Sequence, residues 1–257
     1  MTACLLGREG GPVDGLIVDL DDTVYPQRAF LAGACDAVAA RAAEDGVDAS
    51  ALREALERAL EGGSDRGGTI DRALAAVGAD VPVAPLVTAF LSYRPERLDP
   101  YPGVPRALAR LSRLVPLVLV SDGDPASQRA KLSATGVGEW FSAVVLCDEL
   151  GREHRKPDPL GFRRALAALD LPPEAVVAIG DRPDKDVEGA HRAGVRALRV
   201  HTGEYAGLPE HPETWAVSDT LVEALAFVEK RLAVPARASR PRSSPRGIGS
   251  GGRPVLP

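Results

Sequence analysis

The chain has 257 residues and carries 31 basic against 36 acidic side chains, which gives a net charge of −5. A net negative charge argues against nucleic acid as a partner of the chain's main body. Hydrophobic residues make up 45% of the chain and charged residues 26%, a balance typical of soluble globular proteins. A chain of this length can bury a sizeable core without disulfide bonds.

The cysteines and the N-terminal residues bear on location. Cys4, Cys35 and Cys147 are widely spaced and form no C-x-x-C pair, which argues for a reducing compartment and against a zinc site. No apolar run approaches the length of about 18 residues that a membrane span needs. The N-terminus has no basic stretch followed by an apolar one, so we expect no secretory signal. These features predict a cytoplasmic protein with no membrane partner.

Five short apolar runs predict the strands of a buried sheet. In chain order they are Leu16–Val18, Leu117–Val120, Val144–Leu146, Val176–Ile179 and Ala197–Val200. From the second run onward, each is followed by a turn and a helix-like stretch. Helix starts are indicated at Asp124-Pro125 and Asp158-Pro159, and helix ends at Gly136 and Gly194. This alternation predicts an α/β fold with a parallel sheet covered by helices on both faces.

The interval between the first two runs, residues 19–116, is too long for one crossover. Apolar residues recur within it at helical spacing, and glycines end two of the stripes. We therefore predict an inserted bundle of helices.

The C-terminal residues 233–257 contain five Arg and no acid, which predicts a disordered basic tail. The predicted division is 1–26 with 99–232 for the α/β core, 27–98 for the helical insertion and 233–257 for the tail.

Acids and a hydroxyl follow three of the predicted strands. The first strand leads into DLDDT at 19–23, the second into Ser121 and Asp122, and the fourth into GDRPDKD at 180–186. The carboxyl ends of parallel strands share one edge of a sheet, so we expect these side chains to converge. Carboxylates that meet in one crevice repel each other unless a cation lies among them. Ligands that are all oxygen favour Mg²⁺.

A lysine and a helix start complete the predicted edge. Lys156, shortly before the helix start at Asp158-Pro159, is placed to balance the acidic cluster and hold a phosphoryl group. Ser121 and the amides after it lead into the helix at Asp124-Pro125, where backbone donors favour an anion. Lysines are scarce in this arginine-rich chain, so each indicates a position that favours a compact ammonium over a guanidinium fork. The four lysines are Lys131, Lys156, Lys185 and Lys230.

In order and spacing, these segments resemble the four motifs of the haloacid dehalogenase-like (HAD) phosphohydrolase superfamily. D-x-D-x-T matches Asp19–Thr23, the strand-end hydroxyl matches Ser121, the lysine matches Lys156, and G-D-x-x-x-x-D matches Gly180–Asp186. The insertion resembles the C1-type helical cap of subfamily I. Gln128 and Lys131, which follow the SDG segment, resemble a branch of small-molecule phosphatases. The resemblance implies a Rossmann-like core with an inserted cap.

The resemblance also implies a role for each matched residue. Asp19 is expected to be the nucleophile that forms a phospho-aspartyl intermediate. Asp21 is expected to be the general acid and then the base, with a pKa raised by neighbouring acids. The catalytic set is Asp19, Asp21, Ser121 and Lys156. The Mg²⁺ ligands are the Asp19 carboxylate, the main-chain carbonyl of Asp21, Asp181 and a supporting Asp186. The substrate or phosphate contacts are Thr23, Asp122, Gly123 and Arg94.

The implied function is Mg²⁺-dependent hydrolysis of a small phosphomonoester, with a sugar phosphate first and a nucleoside monophosphate second. Two alternatives stay open at this point. A phosphomutase or phosphotransferase retains both aspartates of the first motif. A non-catalytic binding protein could keep the fold and use its Arg-rich tail as the contact arm. Asp122 is read either as a turn cap or as a carboxylate near the phosphate. The oligomeric state is left open.

Overall fold

The structure of the protein is a computed structural model, which describes residues 4–5 and 10–232. Within them, one sheet of seven strands has the order β1-β7-β6-β5-β2-β3-β4. The strands are β1 (Cys4–Leu5), β2 (Gly15–Val18), β3 (Leu117–Ser121), β4 (Ala143–Leu146), β5 (Val176–Gly180), β6 (Arg196–Val200) and β7 (Thr214–Ser218). Neighbouring strands are parallel except β1, which runs antiparallel to β7.

Strand β2 lies between β5 and β3, and all of its residues are buried. Its side chains alternate between two hydrophobic clusters, one on each face of the sheet. Leu16 and Val18 belong to one cluster and Ile17 to the other. Because successive side chains of a strand point to opposite faces, a sheet covered on both faces requires a continuous apolar run. The predicted α/β fold with a parallel, Rossmann-like sheet is confirmed.

Helices pack around this sheet and form a separate group after β2. The helices of the described residues are α1 (Gln27–Ala43), α2 (Ala49–Leu60), α3 (Thr69–Val77), α4 (Val83–Ser92), α5 (Val104–Leu111), α6 (Pro125–Thr135), α7 (Cys147–Leu150), α8 (Leu160–Leu169), α9 (Glu188–Arg192) and α10 (Leu221–Glu229). Helices α1 to α4 share a hydrophobic cluster of their own, to which Val38, Leu56, Leu74 and Leu86 each contribute from a different helix. None of the described helices is both long and apolar enough to cross a membrane. The division into core, cap and tail stays a prediction, and the tail at 233–257 lies outside the described residues.

The turn between β2 and α1 depends on Asp22. This residue has a φ of 54°, a left-handed conformation that Asp tolerates better than most residues. Its carboxylate accepts hydrogen bonds from the backbone N–H groups of Gln27 at 2.9 Å and Glu204 at 3.2 Å. A Cβ on Gly203 would lie 2.0 Å from Cγ of Asp22, so this close approach requires glycine. Asp22 thus joins the start of α1 to the loop that follows β6.

A buried arginine holds that loop, residues 201–213. Arg199 is fully buried. Its guanidinium donates to the carbonyl oxygens of Tyr205 at 2.8 Å and Asp181 at 3.1 Å, and to the carboxylate of Glu210 at 2.9 Å. A buried guanidinium needs its donors satisfied, and this loop supplies most of the acceptors. Arg199 therefore ties the loop to the end of β5.

Candidate active site

Three buried carboxylates meet at the carboxyl edge of the central strands. Asp19 follows β2, and Asp181 and Asp186 follow β5. One oxygen of each lies within 4.8 Å of the others, and the residues are 7%, 4% and 4% exposed. The fold thus brings together acids that stand more than 160 positions apart in the sequence.

A wide turn sets the spacing between Asp181 and Asp186. The backbone N–H groups of Asp186 and Val187 both donate to the carbonyl oxygen of Arg182, at 2.9 and 3.2 Å. The second bond spans five residues, a rare arrangement that is frequent at functional sites. The Asp186 carboxylate accepts the N–H of Arg182 at 3.0 Å and so folds back over the strand end. A Cβ on Gly180 would lie 2.3 Å from Cγ of Asp186, so glycine leaves the space for this carboxylate.

Lys156 bridges two of these acids. Its Nζ lies 2.5 Å from Oδ1 of Asp19 and 2.6 Å from Oδ1 of Asp186, and its side chain is buried. Burial alone would lower the pKa of Lys156, but Asp186 and Asp19 raise it well above its usual value. The ammonium is therefore charged. The backbone N–H of Lys156 donates to Oδ1 of Asp122 at 3.0 Å, so Asp122 fixes the segment that carries the lysine.

The same crowding determines the acidities of the carboxyl groups. Burial raises the pKa of Asp19 to about 7 although Lys156 opposes this change, and Asp186 adds to it. Burial, Asp186 and Asp19 raise the pKa of Asp181 well above its usual range. Three carboxylates beside one ammonium leave excess negative charge, which a divalent cation would neutralise. The all-oxygen donor set fits a hard divalent cation.

Asp21 lies in a different environment. Its Oδ1 accepts the Tyr25 hydroxyl at 2.5 Å, and its Oδ2 accepts Nε2 of Gln128 at 2.9 Å. Nζ of Lys131 lies 2.9 and 3.0 Å from the two oxygens. Burial would raise the pKa of Asp21, but Lys131 and the two other donors lower it below its usual value. The prediction of a raised pKa is wrong for this structure, because three donors surround the carboxylate.

Polar groups around Ser121 are also engaged. Oγ of Ser121 accepts Nε2 of Gln128 at 2.6 Å. The N–H of Gly123, a predicted phosphate contact, donates to Oδ1 of Asp148 at 3.1 Å. Asp148 is in turn held by two hydrogen bonds of 2.6 Å from Arg155. Side chains from α6 and from the segment after β4 therefore hold the segment after β3 in place.

A cavity of about 300 Å³ opens onto these groups. One wall is apolar and comes from α1 and α4. Its residues are Phe30, Leu31, Phe90 and Leu91. The polar wall combines Ser64 and Asp65, from the α2–α3 loop, with core residues. Arg182, Lys185 and Tyr205 are among the core residues on this wall. The cavity thus lies between the helical group and the sheet edge.

Two predicted contacts do not reach the cavity. Nη1 of Arg94 donates to the carbonyl oxygens of Leu91 and Tyr93 at 2.6 and 2.8 Å, since the last carbonyls of a helix lack partners within the helix. Arg94 does not line the cavity, so its predicted substrate contact has no support. Thr23 is fully buried, does not line the cavity, and its Oγ1 has no hydrogen-bond partner among the described residues.

The family model of haloacid dehalogenase-like hydrolases matches residues 13–194. The chain belongs to this family. The matched segment contains all four motifs and the helical group, so the resemblance inferred from the motifs is confirmed.

The chain is similar to curated relatives and to solved structures. Glyceraldehyde 3-phosphate phosphatase of Methanopyrus kandleri is 33% identical over 202 residues, which cover 75% of this chain and 86% of that protein. Phosphoserine phosphatase of Thermus thermophilus is 39% identical over 163 residues, which cover 63% of this chain and 56% of that protein. The HAD hydrolase YfnB of Bacillus subtilis, crystallised with magnesium, has a TM-score of 0.65 at 20% identity, over 84% of this chain and 99% of that one. The 2-haloacid dehalogenase of Pseudomonas syringae pv. tomato has a TM-score of 0.60 at 24% identity, over 85% and 99% of the two chains. At these identities the two structures support the fold alone.

Several cavity residues lie outside the four motifs of the family. Asp65, Arg155 and Tyr205 were not predicted, because each sits in an irregular loop with no repeating pattern. Gln128 and Lys131 were singled out through the family resemblance, but without a role. The structure places both on Asp21.

Proposed function

We propose that the protein is a Mg²⁺-dependent phosphatase that hydrolyses a small phosphomonoester through a phospho-aspartyl intermediate on Asp19. The family match and the phosphatase relatives confirm the predicted class, a phosphoric monoester hydrolase. The contact of 2.5 Å between Nζ of Lys156 and Asp19, inside a cluster of buried carboxylates, carries the proposal. Phosphoryl transfer depends on such positioning and on cationic groups around the phosphate.

Mg²⁺ is the proposed ion because the donor set is hard and negatively charged. The carboxylates of Asp19 and Asp181 and the main-chain carbonyl of Asp21 would hold it, with Asp186 in support. When bound, the ion would supply positive charge to the phosphoryl oxygens. The cluster of Asp19, Asp181 and Asp186 supports this assignment, since its carboxylates repel each other without a cation.

The chain's own residues account for two half-reactions. A carboxylate oxygen of Asp19 attacks phosphorus as the bond from phosphorus to the substrate oxygen breaks. Asp21 has to take up a proton before this step, because its hydrogen-bond donors lower its pKa in the structure, and it then gives that proton to the leaving oxygen. A water then gives a proton to Asp21 and attacks phosphorus, and the bond from phosphorus to Asp19 breaks. Lys156 stabilises the negative charge of the phosphoryl oxygens during both transfers.

The substrate we propose is a sugar phosphate of few carbons, ahead of a nucleoside monophosphate. A cavity of about 300 Å³ walled by the helical group supports a small molecule, because a covered site excludes macromolecules. Two of the phosphatase relatives are named for glyceraldehyde 3-phosphate and phosphoserine, both small phosphomonoesters. In this proposal the helices α1 to α4 are the cap. The cytoplasmic location and the lack of a nucleic-acid partner stay predictions from the sequence.

Phosphate release from a panel of compounds tests the proposal. The panel contains triose and hexose phosphates, nucleoside monophosphates, phosphoserine and phosphoglycolate, each with Mg²⁺ and with EDTA. Asp19→Asn is the matched variant, and its melting temperature shows whether it is folded. Release that requires Mg²⁺ and is lost in folded Asp19→Asn is the expected result. No release from any compound by a folded, Mg²⁺-binding protein would reject hydrolysis and favour transfer to an acceptor other than water.

A further inference from the structure

We propose that Lys131 and Gln128 are positioning residues that hold the Asp21 carboxyl in the orientation from which it serves the leaving oxygen. The inference rests on the proposed function, since it assigns Asp21 the acid role in phosphate ester cleavage. Neither residue belongs to the four motifs. Both lie on α6, three positions apart, so they are neighbours on one face of the helix.

Lys131 contacts both oxygens of the carboxylate. Its Nζ lies 2.9 Å from Oδ1 and 3.0 Å from Oδ2 of Asp21, and its side chain is only 6% exposed. The ammonium also lies 4.4 Å from the centre of the Phe30 ring, where a cation is attracted to the ring face. Phe30 belongs to α1, so Lys131 is held between the helical group and the sheet edge. A flexible lysine confined in this way can fix the position of its partner.

Gln128 also holds the Asp21 carboxyl group in place. Its Nε2 donates to Oδ2 of Asp21 at 2.9 Å and to Oγ of Ser121 at 2.6 Å. The amide thus links Asp21, after β2, to Ser121, at the end of β3. Gln128 is 2% exposed, and it lines the cavity together with Asp21 and Lys131. Rotation of the Asp21 side chain would break contacts to both α6 residues at once.

A general acid must be positioned precisely, because a small displacement of its carboxyl group from the leaving oxygen lowers the reaction rate by a large factor. The contribution of a general acid also depends on the leaving group. An alkoxide is a strong base and needs the proton of Asp21 as its bond to phosphorus breaks. Acetate is a weak base and leaves without that proton. Misplacement of Asp21 therefore slows alkyl phosphates far more than acetyl phosphate.

The experiment compares kcat/KM for acetyl phosphate with kcat/KM for the alkyl phosphate of the panel that wild type hydrolyses best. This parameter reports the steps up to transfer of the phosphoryl group to Asp19, so later hydrolysis of the intermediate does not affect it. For Lys131→Met and Gln128→Met we expect a loss of about 10- to 100-fold with the alkyl phosphate, a part of the full contribution of a general acid. With acetyl phosphate we expect a change of no more than about threefold, because general acid help is not needed there. Lys131→Arg, which keeps the charge and donors, should recover part of the loss.

Lys185→Met is the matched control. Lys185 is a second lysine on the cavity wall, but it contacts Asp65 at 3.4 Å and lies in the helical turn after β5, away from α6. Its substitution should change kcat/KM for the two phosphates by the same factor. Equal losses for the two phosphates in both α6 variants would overturn the positioning role and leave the phosphatase proposal intact. A wild-type protein that releases phosphate from no compound would reject the phosphatase proposal itself.

Discussion

Asp65, in the loop between α2 and α3, accepts a hydrogen bond of 3.0 Å from Arg182, the residue that follows Asp181. The same carboxylate accepts the hydroxyl of Tyr205 at 2.9 Å and lies 3.4 Å from Nζ of Lys185. The Arg182 guanidinium stacks on the Tyr205 ring at 3.6 Å. One carboxylate of the helical group is therefore held by three core residues at the edge of the cavity.

We expect Asp65→Asn to loosen this contact and to raise KM more than it lowers kcat. Burial would raise the pKa of Asp65, but the Tyr205 hydroxyl, Arg182 and Lys185 lower it to about 2. A carboxyl group whose pKa is lowered by folding stabilises the protein at pH values above its pKa in the unfolded chain. This stabilisation is lost as the pH falls towards about 2. The contribution is small, about 0.2–1 kcal/mol, because the group is partly exposed.

Urea unfolding of wild type and Asp65→Asn between pH 3 and pH 7 measures this contribution. The difference in the free energy of unfolding should be constant above about pH 5 and shrink at lower pH. Asp80→Asn changes another exposed aspartate of the helical group and is the matched control. A KM unchanged in Asp65→Asn would show that the loop contact has no part in substrate binding.

Removal of the Asp181 charge should stabilise the protein in EDTA while abolishing activity with Mg²⁺. Lys156 pairs with Asp19 and Asp186, whereas Asp181 has no ion pair among the described residues. Because burial and the two acids raise its pKa, Asp181 stabilises the fold at low pH through its bound proton. That stability is lost as the pH rises above the usual carboxyl value. In EDTA, Asp181→Asn should therefore melt above wild type at pH 8, and the gap should narrow towards pH 5.

Mg²⁺ titrations complete this prediction. Wild type should melt at a higher temperature as Mg²⁺ is added, since a ligand that binds only the folded state stabilises it. Each kcal/mol corresponds to about 2–4 °C for a domain of this size. Asp181→Asn should show little response to Mg²⁺. Equal Mg²⁺ responses in the two proteins would contradict the assignment of Asp181 as a metal ligand.

The sequence was sufficient to locate the ends of the strands. It was not sufficient to predict which groups the side chains at those ends contact. Asp19 and Asp181 follow apolar runs, so their convergence follows from a parallel sheet. The prediction for Lys156 rested on its match to a family motif. The state of Asp21 could not be predicted, because its partners Gln128 and Lys131 stand 107 and 110 positions away. Strand β7, Thr214–Ser218, was missed because its residues do not form a continuous Val, Ile and Leu run.

Arg199 shows the same limit and leads to a further prediction. An arginine within a strand suggests an exposed face, yet Arg199 is fully buried because the 201–213 loop supplies its acceptors.

Arg199→Met should lower the free energy of unfolding by about 3 kcal/mol or more, since it leaves buried acceptors and Glu210 without their partner. Arg199→Lys should cost less, because it keeps the charge but not the planar fork. Urea unfolding gives these values, and faster hydrogen exchange confined to 201–213 would identify the loop as the part released. A loss in Arg199→Lys equal to that in Arg199→Met would mean that charge contributes nothing.

Asp22 supports a prediction in which glycine is better tolerated than alanine. Its left-handed φ of 54° costs an alanine about 1 kcal/mol that a glycine does not incur. Both replacements remove the carboxylate that accepts the N–H groups of Gln27 and Glu204, a loss of about 1–3 kcal/mol. Asp22→Asn keeps a side-chain oxygen and tolerates the conformation. Among the three variants we therefore expect the free energy of unfolding, measured in urea, to fall in the order Asn, Gly, Ala. An alanine variant as stable as the glycine variant would contradict the left-handed conformation assigned to Asp22.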